Sequence, residues 1–365
     1  MANMNINDDP EGNAARKNLF QNVASQDFLK FSFGTSAYAK QLQSAIQKTG
    51  QVSAVRCEVR TLEHESGACT NVVWLAHDFG FLGGSLGCAE GEVLCRGFEH
   101  AKANRLPVVI ECQSGGARMQ EGTLSLMQLG KVSVCVQAHR AAGLPFISIL
   151  TDPTYGGVPA SYAMQSDVRV GVSGARIGFA GPAVILNTMY EMNQTNYDME
   201  CPSDFQSAEY LQAHGQLDIV ASIEEGETQT DALERVVADI LVVLRPTNSE
   251  KPSPEEGGEG EDIMIDADGV TGDSFTPTAG QYAQSRAMTR PQCQDMISEV
   301  FDHFVELSGD GRVGDDGCIR GGLALLGSKR VVVVASFKGH TPSTMQAANY
   351  GMSSPHGYRK ALRLM

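Results

Sequence analysis

The chain has few basic residues and no long apolar run. It carries 28 Lys and Arg against 43 Asp and Glu, a formal net charge of −15. This balance argues against general binding to nucleic acid or to an anionic membrane, and leaves room only for a local basic patch that binds a phosphorylated ligand. No apolar stretch approaches the twenty residues needed to span a bilayer. Because the polar N-terminus resembles neither a signal nor a transit peptide, we expect a cytoplasmic protein.

The cysteines and histidines lack the spacing of a metal site or a disulfide framework. Nine cysteines are dispersed along the chain without a C-x-x-C pair, and the eight histidines show no zinc-ligand spacing. An odd, scattered set of this kind is typical of reduced intracellular thiols. We therefore expect no metal in this chain.

The pattern of apolar and polar segments predicts two α/β units. We expect residues 1–26 to form a disordered N-terminus and residues 27–245 to form the first unit. In that unit, short apolar runs (Val72–Ala76, Val108–Cys112 and Phe146–Leu150) alternate with helical patterns. Leu126, Leu129, Val132 and Val136 recur at helical spacing, and Ala232–Leu244 predicts another helix.

A change of composition separates the second unit from the first. Glu250–Asp273 holds nine acidic residues against one Lys, so we interpret residues 246–282 as a solvated acidic linker. In residues 283–365 we predict an amphipathic helix through Met296, Val300, Phe304 and Leu307, and a strand at Arg330–Phe337. An apolar stripe (Tyr358, Ala361, Leu362 and Met365) reaches the last residue without a stop signal, which indicates that this unit is incomplete by itself.

Two apolar runs of the first unit each lead into a glycine pair. One pair is Gly115-Gly116 and the other is Gly156-Gly157. Glycine has no Cβ, so the backbone N–H groups of such a turn are open to close approach by a ligand. The positive end of a following helix adds to the attraction for negative charge. We therefore predict a site in which main-chain amides stabilise an oxyanion; the alternative is that both pairs are only tight turns.

Four motifs of the first unit are long and specific. They are Asp78-Phe-Gly-Phe-Leu-Gly-Gly-Ser-Leu-Gly87, Ser114-Gly-Gly-Ala-Arg-Met-Gln-Glu-Gly122, Thr151-Asp-Pro-Thr-Tyr-Gly-Gly-Val158 and Ile177-Gly-Phe-Ala-Gly-Pro182. They resemble the β subunit of bacterial acetyl-CoA carboxylase carboxyltransferase. The second unit is similar to the start of that enzyme's α subunit, through Thr289-Arg-Pro, Glu306–Asp310 and Asn349–Met365. The resemblance implies an α/β fold, a crotonase-like spiral of ββα units with a partial second crotonase-like unit, in a β–α fusion.

The chain departs from that family in two ways. The bacterial β subunit begins with a four-cysteine zinc ribbon, whereas no cysteine precedes Cys57 here. The α half of the family supplies a further Gly-Gly pair for biotin, in a part of α that this sequence does not include. We therefore expect an α-type subunit or a second protomer to complete the site, in an oligomer.

The resemblance also implies a reaction, the transfer of CO2 from carboxybiotin to acetyl-CoA to give malonyl-CoA. Biotin is then held by a separate carboxyl carrier protein, and the acceptor is a CoA thioester. Backbone donors at Gly115, Gly116, Gly156 and Gly157 are expected to hold the thioester enolate. The expected substrate-binding residues are Gly83, Gly84, Ser114, Ala117, Arg118, Val158, Phe179 and Gly181.

Several alternatives stay open at this point. Arg118 either orients the loop or contacts a CoA phosphate, or it forms an ion pair with Glu121 or Glu111. Phe179, Gly181 and Pro182 either line an acyl pocket or belong to the core. Gly83-Gly-Ser85-Leu-Gly87 matches the nucleophile pattern of hydrolases, but no histidine stands in a recognisable setting. Two other functions compete with the transferase: a biotin-independent malonyl-thioester decarboxylase, and a non-catalytic CoA-binding subunit that serves assembly.

Overall fold

The structure is a computed structural model that describes residues 17–33, 36–244 and 291–365. The predicted acidic linker at 246–282 lies outside the described residues, as do residues 1–16. The described part of the chain is a mixed α/β fold built on one large sheet, as predicted. It begins with two short strands, β1 (Ser32–Phe33) and β2 (Ser36–Ala37), and the helix α1 (Tyr38–Thr49).

The large sheet has a parallel core with one antiparallel edge strand. Its order is β3-β4-β5-β6-β7-β9, with β8 beside β6; β3 and β4 are antiparallel and the others pair in parallel. The predicted strands at Val72–Ala76, Val108–Cys112 and Phe146–Leu150 lie within β4, β5 and β6. The bounds are β3 (Val55–Glu63), β4 (Cys69–His77), β5 (Val108–Ser114), β6 (Phe146–Tyr155), β7 (Val168–Val172), β8 (Ile177–Gly178) and β9 (Ile219–Ala221).

Helices connect the parallel strands and cover the sheet. The predicted helix after Gly122 and the predicted helix through Ala232–Leu244 are both present. Val132 and Val136 are buried as expected, whereas Leu126 is exposed. The helices of this unit are α2 (Cys88–Asn104), α3 (Thr123–Ala141), α4 (Pro182–Met189), α5 (Gln194–Glu200), α6 (Ala208–Ala213) and α7 (Gln229–Leu244).

The core lies between the sheet and these helices. β6 is buried from Phe146 to Thr151, and β7 is buried throughout. Strands covered on both faces become continuous apolar runs, which is why these segments could be recognised without an alternating pattern. The carboxyl ends of β4, β5 and β6 meet at the same edge of the sheet, and the loops that follow them form the candidate site.

Residues 17–26 belong to the folded unit, so the predicted disorder does not extend to them. The Leu19 N–H donates to the Cys57 carbonyl at 2.7 Å. Ser25 is buried, and its Oγ donates to Glu90 Oε1 at 2.9 Å. Because this segment makes backbone and buried side-chain bonds, the fold begins before residue 27. The other predicted domain boundaries stay predictions.

The second unit is a three-stranded antiparallel sheet with helices. The predicted strand at Arg330–Phe337 is confirmed, but the predicted long helix through Met296 and Leu307 is wrong. The helix ends at Val300, and Phe304 lies in a strand, because its backbone pairs with Ala324 in the sheet. The elements are α8 (Cys293–Val300), β10 (His303–Glu306), β11 (Ile319–Leu326), β12 (Lys329–Ser336), α9 (Pro342–Ala347) and α10 (Pro355–Leu364).

The last helix turns its apolar stripe outward. Tyr358 and Leu362 are 67% and 71% exposed, whereas Lys360 is buried and paired with Asp315 at 2.9 Å. Among the described residues no helix is both long and apolar enough to cross a bilayer.

Candidate active site

Three loops meet at the carboxyl edge of the large sheet. The first follows β4 and contains a 3-10 turn at Leu82–Gly84, the second follows β5 at 115–118, and the third follows β6 at 156–160. Leu86 in the first loop forms a parallel bridge with Ala117 in the second. The Gly115 N–H donates to the Gly83 carbonyl at 2.9 Å, which joins the same two loops again.

The two glycine pairs are in direct contact. A Cβ added to Gly156 would lie 2.9 Å from the Cα of Gly116, and one added to Gly116 would lie 3.3 Å from the Cα of Gly156. Both residues also have positive φ, +112° at Gly116 and +70° at Gly156. The structure therefore brings the two turns together at one point, and side chains at these two positions would force them apart.

Three of the four expected glycine donors already have partners. Besides the Gly115 bond, the Gly116 N–H donates to Ser114 Oγ at 3.0 Å, and the Gly156 N–H donates to the Phe179 carbonyl at 2.9 Å. The expectation that these amides bind a ligand is therefore wrong for Gly115, Gly116 and Gly156. Their N–H groups stabilise the turns instead.

The amides of Ala117, Gly157 and Val158 remain available. No hydrogen bond between residues of the three described ranges uses any of these N–H groups. At the Leu86 bridge, the Leu86 N–H donates to the Gly116 carbonyl and the Arg118 N–H donates to the Leu86 carbonyl, so Ala117 N–H takes no part. Gly157 and Val158 are buried and Ala117 is half-buried. A buried N–H without a partner is rare and points to a ligand.

Arg118 does not face the site, which corrects its assignment as a substrate-binding residue. Its side chain is wholly buried and pairs with Glu90 at 2.8 Å and with Glu121 at 3.3 Å. Burial alone lowers the pKa of Arg118, but Glu90, Tyr38 and Glu121 together outweigh burial and raise the pKa above its ordinary value. The guanidinium stays charged and cannot reach a CoA phosphate. The ion pair with Glu121 is present, whereas Glu111 accepts from Trp74 Nε1 at 3.3 Å instead.

The remaining expected residues differ in their access to a ligand. Ser114 is wholly buried beneath the turn, so it supports the loop rather than contacts a substrate. Gly84 packs against the backbone of Gln113, whose carbonyl would lie 2.0 Å from an added Cβ. Phe179 is 73% exposed, which removes it from the core. Gly181 caps the start of α4 and lies over the ring of Tyr155, with a Cβ position 3.8 Å away.

The hydrolase alternative lacks its geometry. Ser85 Oγ accepts from Arg118 Nε at 3.0 Å and has no histidine partner among the described residues. The nearest histidine along the loop, His77, is engaged elsewhere. Ser85 is therefore a contact of the buried arginine.

His77 and Tyr162 form a buried bridge that the sequence analysis missed. His77 Nδ1 lies 3.1 Å from the Gly84 carbonyl, and Nε2 lies 2.9 Å from Tyr162 Oη. Nδ1 is thus the protonated nitrogen, and Nε2 accepts from the phenol. Burial lowers the pKa of His77 to about 4. A neutral imidazole therefore connects the first loop to the segment after the third, and no local sequence pattern marks that pairing.

The described ranges contain no group of three or more His, Cys, Asp or Glu side chains that could hold a metal ion. The cysteines of these ranges are free thiols. The chemistry that the site itself can offer is main-chain hydrogen bonding to a negative oxygen.

Comparisons with known proteins show what each of the two units is similar to. Residues 65–204 match the family model of the carboxyl transferase domain, and residues 275–365 match that of the acetyl co-enzyme A carboxylase carboxyltransferase-like family. Among solved structures, transcarboxylase 12S has a TM-score of 0.57 at 23% identity, over 81% of this chain and 51% of that chain. This likeness concerns the fold, and the predicted crotonase-like α/β fold is confirmed.

Curated relatives carry the same pair of units. The acetyl-coenzyme A carboxylase carboxyl transferase subunits beta/alpha of Salinispora tropica is 41% identical over 90% of this chain and 54% of that protein. The chain therefore spans about half the length of such relatives. The corresponding subunit beta of Brucella canis is 41% identical over 63% of this chain and 70% of that protein. The chain belongs to the acetyl-CoA carboxylase carboxyltransferase family.

Proposed function

We propose that this chain supplies the CoA-thioester half of a biotin-dependent carboxyltransferase. Its substrate is then acetyl-CoA, which receives a carboxyl group and becomes malonyl-CoA. The observation that carries the proposal is the set of three unengaged amides, at Ala117, Gly157 and Val158, in two turns that touch each other.

Carboxylation of a thioester at its methyl carbon needs an enolate. Removing the proton places negative charge on the thioester oxygen, and fixed N–H donors lower the energy of that charge. Loss of one such donor costs about 3–4 kcal/mol of barrier in well-studied enzymes. We assign the donors to Ala117 on one turn and to Gly157 and Val158 on the other.

The glycine turns offer no side-chain base. Arg118 is buried and paired, Ser114 accepts from a backbone amide, and both nitrogens of His77 have partners. The proton must then leave toward the second substrate. Biotin on its carrier supplies the CO2 and a ureido nitrogen that accepts this proton, while this chain orients and stabilises the enolate.

The proposal includes partners that complete the other half of the site. A biotin carboxyl carrier protein delivers the carboxyl group, and an α-type subunit or a second protomer provides its binding surface. We assign residues 27–245, together with the packed segment 17–26, to the thioester unit and residues 283–365 to part of an α-like unit. We further propose that the assembly is an oligomer, acts in the cytoplasm and serves fatty acid biosynthesis.

The experiment measures the reverse reaction, decarboxylation of malonyl-CoA, with the purified chain alone and after addition of an α-type subunit. The proposal predicts transfer of the carboxyl group from malonyl-CoA to biocytin, so acetyl-CoA and carboxybiocytin form only when biocytin is present. Formation of acetyl-CoA and free CO2 at the same rate without biocytin would identify a malonyl-thioester decarboxylase. Binding of the thioester without turnover, even with the α-type subunit present, would identify a non-catalytic assembly subunit.

A further inference from the structure

The helices α2 and α3 lie side by side and run in the same direction. Three contacts between them define the register: Cys88 with Gln128, Glu92 with Lys131, and Phe98 with His139. From the second contact to the third, α2 advances by six residues and α3 by eight, which is about two helical turns in each. One further pair of facing positions therefore lies between these two contacts.

Two cysteines occupy these facing positions. Cys95 follows Glu92 by three residues and Cys135 follows Lys131 by four, so each lies one turn beyond the ion pair. The two thiols form a hydrogen bond with each other across the helix interface. Cys95 is buried, whereas Cys135 is half-buried beside the exposed Val134. One sulfur can thus be reached from solvent, and the other lies directly behind it.

The two thiols differ in acidity. The hydrogen bond from the Cys95 thiol lowers the pKa of Cys135 to about 7 against the opposing effect of burial, and the Lys131 ammonium acts in the same direction as that bond. The same hydrogen bond and burial raise the pKa of Cys95 above its ordinary value. Because the thiolate is the nucleophile, Cys135 is the reactive member of the pair near neutral pH, while Cys95 keeps its proton.

We infer that Cys95 and Cys135 are a modification site, at which a low-molecular-weight disulfide such as glutathione disulfide oxidises the two thiols reversibly to an intramolecular disulfide. The Cys135 thiolate attacks one sulfur of the small disulfide, whose S–S bond breaks and releases one thiolate. Cys95 then loses its proton and attacks the Cys135 sulfur, which releases the second small thiolate. The protein pair gives up two electrons and two protons, and the small disulfide takes them up and becomes two thiols.

The new bond would tie together two helices that follow the site loops. α2 begins at Cys88, directly after the first loop, and α3 begins at Thr123, after the second. Thiols that already contact each other need only side-chain rotation and a small helix shift to bond. The pair uses no residue of the glycine turns, so the inference does not depend on the proposed function.

The test treats the reduced full chain with glutathione disulfide and then digests it without reduction. Proteases that cleave after Glu, Lys and Arg release residues 93–96 and residues 132–140, which contain Cys95 and Cys135 respectively as their one cysteine. Mass spectrometry should find these two peptides joined, with a mass two hydrogens below their sum. Dithiothreitol should separate them again.

Two single variants distinguish the two steps. In Cys95→Ser, Cys135 still attacks but nothing displaces the small thiol, so one glutathione stays on Cys135. In Cys135→Ser, no joined peptides form and Cys95 takes up no glutathione, because it is buried and protonated. The matched control is Cys69→Ser, which removes an exposed cysteine of β4 and leaves the joined peptides unchanged.

Two outcomes would overturn the inference. One is a wild type in which glutathione stays on Cys135 and no joined peptides form. The other is a wild type in which Cys95 and Cys135 are both still free thiols when the exposed Cys69 already carries glutathione. Neither outcome would bear on thioester binding at the glycine turns, so the proposed function is tested separately.

Discussion

Glu90 and Arg118 form an ion pair, with Oε1 2.8 Å from Nη2, in which neither side chain has exposed surface. Arg118 Nη2 also donates to the Ser85 carbonyl at 2.6 Å, and Glu90 Oε1 accepts from the Ala54 N–H at 2.7 Å. The pair thus joins the first and second site loops to the start of α2 and to the strand before the site. Burial raises the pKa of Glu90, but the Arg118 guanidinium and the Ala54 N–H outweigh burial and hold that pKa below its ordinary value.

Replacement of Arg118 by methionine should strongly destabilise the fold. The change leaves the Glu90 carboxylate buried without its partner, which costs about 3–5 kcal/mol of unfolding free energy. Urea unfolding measures the loss. The control is Arg96→Met, since Arg96 and Glu92 form a pair that is 41% and 36% exposed. That variant should lose less than about 1 kcal/mol. Equal losses in the two variants would contradict this account of Arg118.

His77 should make stability depend on pH on the acid side of neutrality. Its pKa is about 4 in the folded chain against an ordinary value of 6.5. Between these two values the unfolded chain binds a proton that the folded chain does not. The free energy of unfolding therefore falls as the pH decreases from about 6.5 to about 4, by about 3 kcal/mol in total.

The double variant His77→Phe/Tyr162→Phe tests that dependence. It replaces both hydrogen-bond partners by apolar phenylalanine rings and so removes the titrating imidazole. The difference between its pH–stability curve and that of the wild type therefore isolates the contribution of His77. His100 and His139, whose pKa values burial also lowers, are common to both proteins. Parallel curves over this pH range would show that His77 is not the cause.

Replacement of Gly156 by alanine should abolish thioester binding. The new Cβ would lie 2.9 Å from Gly116 Cα and push the two turns apart. Gly174→Ala is the control, because Gly174 has nearly the same φ, +73° against +70°, with no atom within 4 Å of its Cβ position. Each variant carries the strain of a positive φ, roughly 1–2 kcal/mol. Calorimetry with acetyl-CoA should show loss of binding only for Gly156→Ala. A similar loss of binding in both variants would mean that backbone strain, and not the contact between the turns, is the cause.

Replacement of Asp218 by asparagine should loosen the second unit from the first. Asp218 is buried and pairs with Arg169 Nε at 3.0 Å, and it also pairs with Arg363 of α10. The change leaves two guanidinium groups with one neutral partner, so we expect the free energy of unfolding to fall by about 3–5 kcal/mol. Thermal unfolding of Asp152→Asn, which breaks an exposed pair with Arg176, provides the comparison. A shift no larger than that of Asp152→Asn would argue against a buried junction.

The central strands of the first unit could be predicted from the local sequence pattern alone. β4, β5 and β6 are continuous apolar runs because helices cover both faces of the sheet. The elements of the second unit were harder to predict from the sequence. Met296, Val300, Phe304 and Leu307 fit a helical period, yet Phe304 lies in β10, because pairing with β11 outweighs a short periodic signal.

The sequence predicted which turns form the site, but it did not predict which backbone amides of those turns are available to a ligand. The glycine pairs mark the two turns, since only glycine allows the contact between Gly116 and Gly156. Which amides stay available depends on the carbonyls of Gly83 and Phe179, which reach the turns from other loops. For the same reason the sequence could not show whether Arg118 binds a phosphate or forms a buried ion pair, because its carboxylate partner Glu90 lies 28 positions away.

The sequence by itself determined the family, the buried strands β4, β5 and β6 and the helices α3 and α7 of the first unit, and the two glycine turns, because these depend on residue type and on short spacing. Only the tertiary structure decided that Ala117, Gly157 and Val158 keep their amides available, that Arg118 is a buried ion-pair partner, and that His77 bridges to Tyr162. Hydrogen bonds and burial are formed between segments far apart in the chain, so their outcome is set by the packed fold and not by neighbouring residues.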